Sequence, residues 1–290
     1  MELRELRYFL AVAREQSISK AAEGLFVTQP NLSRQMQNLE KEIGKPLFIR
    51  GSRKITLTEA GRLLYKRAEE IVELCEKTES EISSPVTDIG GDIYIGGGES
   101  YVMEIIAKAA HAVQLEYPRV KFHIFSGDSG TISERLDKGL IDFGIFIEPF
   151  DVSKYDYLRL PLTDTWGVLM RSDSPLAQKE YITPEDLWDK PLIRSRQSLG
   201  KNMITEWFQK SDEELNIVAT GNLLYNMSLL VREGIGYAVG LDKIIRTENS
   251  DLCFRPLYPE LISHLDIAWK KYQVFPKCAE IFLKRLQELL

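Results

Sequence analysis

Apolar positions in the first 84 residues recur at helical spacing. Leu6, Phe9, Leu10 and Ala13 share one side of a 3.6-residue turn and predict a helix from about Glu2 to Gln16. Ser17 or Ser19 offers a hydroxyl to cap a short second helix through Leu25, and Phe26-Val27 forms the turn after it. Thr28 predicts the cap of a third helix that ends at Gly44. Pro30 sits in its first turn, where a missing N–H costs nothing. On this helix Leu32, Met36, Leu39 and Ile43 make an apolar stripe. Pro30, Arg34, Gln37 and Lys41 fall on the opposite side, with Ser33 and Asn38 at the flanks.

The period then changes. Leu47–Arg50 and Lys54–Leu57 are short β-prone runs joined through Gly51, which predicts a hairpin. Thr58 opens a long helix with Glu59 at its positive end. Along it Leu64, Ala68, Ile71, Cys75, Thr78 and Ile82 step by four and three, a heptad seam suited to dimerisation. Packing against the chain's own body is the other use of such a stripe. Ser83-Ser84-Pro85 breaks the helix and Asp88–Gly91 is a hinge.

Beyond the hinge, strands at Asp92–Gly96, Val120–Ser126 and Asp142–Ile147 alternate with helices at Tyr101–Glu116 and Thr131–Lys138. That order implies a parallel sheet covered on both faces. A second α/β unit starts near Thr165–Met170, with a capped helix start at Thr183–Asp186 and a buried strand at Pro191–Ile193. Leu265–Trp269 reads as a strand and Pro276–Leu290 as a final amphipathic helix.

Charge sharpens this division. Residues 1–58 hold 10 Lys/Arg against 6 Asp/Glu, a balance of +4, whereas the remaining 232 residues hold 27 against 37, a balance of −10. A basic front end on an acidic body fits a partner that is a polyanion met by the front end alone. Cys75, Cys253 and Cys278 form no C-x-x-C pair, so no zinc site or disulfide framework is expected. Met1–Glu5 carries charge where a signal peptide would be apolar, and no run of 18 apolar residues occurs. A cytoplasmic protein with no membrane partner is the expectation.

The polar side of the third helix suits a major groove. Arg can fork to guanine, Gln or Asn can bridge adenine, and Ser can serve either. Arg50, Arg53 and Lys54 at the hairpin tip suit phosphate neutralisation. Together these make a winged helix-turn-helix, with Ala22 small enough for its two helices to cross closely.

At these residues the chain resembles the LysR-type transcriptional regulators. The resemblance rests on Leu6–Ala13, Ser19–Glu23, Val27–Gln35, Leu39-Glu40, Pro46–Arg50 and Leu57–Gly61, and is dense over residues 3–65. It implies a sequence-specific regulator of promoter DNA, a homodimer or homotetramer, modulated by a small-molecule co-inducer between two lobes like those of type 2 periplasmic binding proteins. RNA polymerase is a further candidate partner. It also implies that Thr28, Gln29, Pro30, Ser33 and Arg34 lie on the base side and Arg50, Arg53 and Lys54 on the backbone side, with Gln37 added from the helix face. Leu64, Ala68, Ile71, Cys75 and Ile82 are the dimerisation candidates.

The expected fold is therefore multidomain: an all-α winged helix-turn-helix with a long linker helix, then a two-lobed α/β effector-binding domain. The boundaries are 1–58, 59–90 and 91–290, with lobe I at about 91–162 and 265–290 and lobe II at about 163–264.

Ligands of open α/β sheets sit at the carboxyl ends of strands, against helix starts. Gly98–Tyr101, Gly127–Thr131 and Arg194–Arg196 are such places, and the resemblance adds a segment after Thr220–Asn222. Ser100, Ser129, Ser195 and Asn222 are the effector candidates, although each serine also suits a plain helix cap. A carboxylate effector fits the backbone N–H groups. Glu99 and Asp128 would repel one, so Arg194 or Arg196 would have to compensate, or the effector is cationic or neutral.

Enzymatic readings find little to rest on. Tyr101 stands where a G-x-G-x-x-G loop needs its third glycine, and there is no P-loop, nucleophile elbow or H-E-x-x-H. No catalytic residue, metal or cofactor is expected. The competing readings are a small-molecule binding protein that its N-terminal domain merely oligomerises, and an enzyme on the α/β body.

Overall fold

The computed structural model describes residues 1–51, 54–83, 89–196 and 202–290. These fall into two units, Met1–Ser83 and Ser84–Leu290. Arg53, Ser84 and Pro85 of the expected helix break, and Asp88 at the start of the expected hinge lie outside the described residues.

In the first unit α1 (Leu3–Glu15), α2 (Ile18–Gly24) and α3 (Gln29–Ile43) precede a two-stranded hairpin, β1 (Phe48–Arg50) and β2 (Ile55–Leu57), and a long helix α4 (Glu59–Ser83). Ser17 caps α2 by accepting the Lys20 N–H at 3.4 Å. Gly44 stops α3 in the left-handed region, at φ 74°, where a side chain would be strained. Thr28 occupies the cap position of α3, but its hydroxyl makes no capping bond, contrary to the expectation. The stripe Leu32, Met36 and Leu39 is fully buried against Phe9, Leu10 and Ala22. Ile43, expected to extend the stripe, is 37% exposed in the last turn of the helix.

Two contacts fix the hairpin. The Ile55 N–H donates to the Gln16 carbonyl at 2.9 Å, tying β2 to the end of α1. The Thr58 hydroxyl donates to Pro46 O at 2.7 Å and accepts the Gly61 N–H at 2.9 Å, tying the strands to α4. Gly61 must lack a side chain: a Cβ there would lie 2.1 Å from the Leu47 carbonyl oxygen.

The second unit begins β3 (Gly91–Gly97), α5 (Met103–Glu116), β4 (Val120–Ser126), α6 (Ser129–Asp137) and β5 (Phe143–Ile147). As the βαβαβ pattern requires, β3 lies parallel to both β4 and β5. The chain continues through β6 (Tyr155–Arg171), β7 (Leu192–Ser195), α7 (Met203–Phe208), β8 (Ile217–Gly221), α8 (Leu224–Arg232), β9 (Tyr237–Leu241), β10 (Leu252–Pro256), β11 (Ile262–Lys270) and α9 (Lys277–Gln287). The sheet runs β4-β3-β5-β11-β6-β9-β7-β8, with β10 also on β6.

The strand expected at Thr165–Met170 is the far half of the 17-residue β6. Its near half pairs with β11 beside β5, and its far half pairs with β9 and β10. Pro161 falls between the paired positions Arg159 and Thr163, where no ladder donor is needed. Thr183–Asp186 forms only a short 3₁₀ turn with a capping box, not the longer helix expected. Apolar clusters cover the sheet in both lobes, around Phe143 and Phe282 in the first and Val239 and Phe208 in the second.

Candidate nucleic-acid interface and effector pocket

The burial of one side of α3 leaves the other in solvent. Thr28, Gln29, Pro30, Arg34 and Gln37 are exposed, and Ser33 is half-buried at the edge of the stripe. Among the described residues, Arg34, Lys41 and Lys54 make no ion pair, so their donors remain available. Other cations of the same unit are occupied. Arg7 pairs with Glu76 at 3.4 Å and Arg14 with Glu69 at 3.2 Å, bracing α1 against α4. Arg50 is exposed on the wing, 4.0 Å from Glu40.

Glu40 is the residue that relates wing to helix. From the partly buried side of α3, its Oε1 accepts the N–H groups of Leu47 at 2.7 Å and Phe48 at 3.1 Å. The start of β1 is thereby held against the helix whose other face is open. Sequence reasoning gave Glu40 no role, because a lone Glu near a helix end reads as surface charge; nothing local shows that its partners lie seven and eight residues on.

The expected seam on α4 divides. Leu64 and Ala68 belong to the unit's own core, Ala68 with no exposure at all, which removes it as a surface contact. Ile71 and Ile82 are exposed, with Leu63 and Leu74, while Cys75 is half-buried. The near end of α4 therefore closes the winged domain and only the far part presents apolar side chains.

In the second unit a cavity of about 400 Å³ opens beside β3 and the start of α5. It is lined by Glu99, Ser100, Tyr101 and Ser126 from the first lobe and by Lys243 and Ile244 from the second. Ser100 therefore lies on the cavity. It is also a cap: its hydroxyl accepts the Val102 N–H at 2.9 Å. Ser129 and Asn222 are exposed at the starts of α6 and α8, and Ser195 is half-buried at the end of β7; none of the three lines this cavity.

The charged groups thought to disturb an anion have definite partners. Glu99 Oε2 accepts the Leu224 N–H at 2.6 Å, so a carboxylate from one lobe sits on the first turn of α8 in the other. Asp128 caps α6 by accepting the Thr131 N–H at 2.8 Å, and hydrogen bonds from the Thr131 hydroxyl and then its N–H hold the Asp128 carboxyl below the usual value. Arg194, expected to offset these, is fully buried, paired with Asp212 and stacked over Phe208 at 5.3 Å. Its guanidinium serves the core of lobe II.

Asp164, on β6, was not foreseen at all. It is 2% exposed, accepts from the Ser100 hydroxyl and the Tyr101 N–H, and is held above the ordinary carboxyl range by burial. Its Oδ2 has no hydrogen-bond partner among the described residues.

The family model described as "Bacterial regulatory helix-turn-helix protein, lysR family" matches residues 3–62, and that described as "LysR substrate binding domain" matches residues 88–290. The chain belongs to the LysR family. As a LysR-type protein it is a DNA-binding transcription regulator with a substrate-binding domain, and not an enzyme.

Among similar proteins of this LysR family is the Hca operon transcriptional activator HcaR of Escherichia coli (strain K12). It is 30% identical over 295 residues, covering 100% of this chain and 98% of that protein. The transcriptional regulator YybE of Bacillus subtilis (strain 168) is 27% identical, with 97% of each chain covered. Full-length CbnR in complex with its target DNA has the same fold, with a TM-score of 0.77 at 19% identity and 100% of both chains covered. Among the described residues of this LysR-type regulator, no helix is long and apolar enough to cross a membrane, and no group of three or more His, Cys, Asp or Glu side chains is arranged for a metal.

Proposed function

We propose that this LysR-type regulator reads promoter DNA with Gln29, Pro30, Ser33, Arg34 and Gln37 on base edges. Thr28 helps at the helix start, and Arg50, Arg53 and Lys54 neutralise phosphates. The observation that carries this reading is the exposed, unpaired Arg34 and Gln37 opposite a stripe with no exposure at all. A face kept solvated at that register has donors to offer a groove. The uncapped hydroxyl of Thr28 fits the same use.

Assembly as a homodimer or homotetramer runs through the far part of α4, where Ile71 and Ile82 are exposed and Cys75 is half-buried. The effector enters the cavity between the halves of the second unit and meets Ser100, with Ser129, Ser195 and Asn222 closing on it from the surrounding loops. RNA polymerase is the partner of the DNA-bound form, and the cytoplasm its place of action.

Gel-shift titration of the full chain against its own upstream DNA and a scrambled duplex tests this. Specific binding should exceed scrambled by at least about a thousandfold at physiological salt. Equal binding to both would leave the oligomerising small-molecule binder as the better reading. Ser100→Val and Ser129→Val should abolish the effector response while DNA affinity persists; a response unchanged in both removes them from the site.

A further inference from the structure

Three helix starts surround the region where an anion would be expected, and each already holds an acceptor supplied by the chain. The first turn of α5 is satisfied by the Ser100 hydroxyl and carbonyl and by the Tyr101 carbonyl. Asp128 fills the start of α6 and Glu99 the start of α8. Lys243 is the lone cation on the cavity wall among the described residues, and its ammonium rests 4.6 Å over the Tyr101 ring. Arg194 is buried against Asp212. Arg196 acts on Asp128 and is not on the wall.

What remains on offer is acceptor. Glu99 is half-buried, and its second oxygen makes no hydrogen bond among the described residues. Glu104 also lines the wall, neutralised by Lys108 at 2.6 Å. Behind Ser100 and Tyr101, one hydrogen bond from the cavity, lies Asp164 with its orphan oxygen. Glu104 is also acted on by Lys243, while Asp242 lies near enough to Asp164 to act on it. The Tyr101 ring, moreover, already accommodates an ammonium, that of Lys243.

We propose that the effector of this pocket is a small organic amine in its protonated form, held by Glu99 at the junction of the two lobes. The inference rests on the reading of the cavity as the effector site and adds the charge of its ligand. A carboxylate entering here would meet filled helix starts and the carboxylate of Glu99, whereas an ammonium meets an acceptor that already bridges the lobes. Binding to Glu99 would also bear directly on how Glu99 holds α8, which gives the ligand differential contact with the two lobes.

Thermal-shift measurements on the full chain test this with a panel of primary amines, the alcohols isosteric with them and matched carboxylates. The four-carbon set is 1,4-diaminobutane, 1,4-butanediol and succinate. Amines should raise the Tm and the other two classes should not. Glu99→Gln keeps an acceptor for the Leu224 N–H but loses the charge. Titration calorimetry should find the best amine weakened roughly ten- to a hundredfold in that variant and not weakened in Lys243→Gln. An unliganded Tm close to wild type verifies that each variant folds. Stabilisation by carboxylates that Lys243→Gln abolishes overturns the amine assignment and leaves the effector reading standing. Amine binding indifferent to Glu99→Gln, or no shift with any amine, also overturns it; the effector reading itself is decided separately by Ser100→Val.

Discussion

The two recognition surfaces proposed for this regulator solve opposite problems. On α3 the side chains of Gln29, Arg34, Gln37 and Lys41 are exposed and unpaired among the described residues; around the cavity nearly every polar group already has a partner inside the chain. Exposed donors are hydrated in the free protein, so leaving them unpaired carries little cost, and DNA replaces that water. Asp164 lies behind the pocket wall and away from water, so its oxygens must find partners within the chain or remain expensive orphans, as Oδ2 does. Only the few groups with capacity left over report on the ligand. Glu99 is one of them.

The largest effect that would break this contrast comes from the junction behind the open face. Gly61→Val drives a side chain into the Leu47 carbonyl and should destabilise the first unit by about 3 kcal/mol or more. Scrambled-duplex affinity should fall with operator affinity, because the wing as well as the helix is displaced. Denaturant unfolding and gel shifts check both, and normal affinity would show that the wing does not depend on α4.

Glu40→Ala is expected to be milder. It leaves the Leu47 and Phe48 N–H groups without their acceptor, at about 2 kcal/mol for two partly buried donors. The wing should lose its register on α3, weakening DNA of every sequence alike while Glu40→Gln, which keeps an acceptor, largely restores it. A sequence-selective loss in Glu40→Ala would place this residue among the base readers instead.

The smallest effect sharpens the pocket side. Burial raises the Asp164 carboxyl above its unfolded value, so its charged form is disfavoured in the folded chain. Stability should therefore fall as pH rises from the ordinary Asp value through the raised one. Asp164→Asn removes that slope and should raise the Tm slightly at neutral pH, measured by thermal denaturation against pH. A lower Tm at neutral pH, with the slope intact, would show the charge to be fully compensated.

How much of this was legible in the sequence follows from the same contrast. The α3 face is written within sixteen consecutive residues, so helical period alone separates Leu32, Met36 and Leu39 from Arg34 and Gln37. The cavity is assembled from residues 99, 126 and 243, with 164 behind its wall, and no local pattern joins them. Glu99 was noticed only as an obstacle to an anion; that it grips the start of α8 depends on a contact 125 residues distant. The α4 seam was read as one stripe with one use throughout, either a second copy or the chain's own body, whereas its near end packs on its own domain. Period says which side of a helix is apolar, not what covers it. The long β6 was hidden for a comparable reason: it pairs with β11 as far as Thr165 and with β9 and β10 beyond, and no local pattern shows those partners.

The account depends most on α3 lying open for nucleotide edges. Its most direct test is the affinity of Arg34→Ala for the operator and for scrambled DNA across a salt series. The prediction is a loss of about 1–3 kcal/mol on the operator, relaxed preference at one base position and almost unchanged scrambled affinity. An equal loss on both duplexes, with the salt slope reduced by about one, would make Arg34 a phosphate contact and contradict the reading of this face.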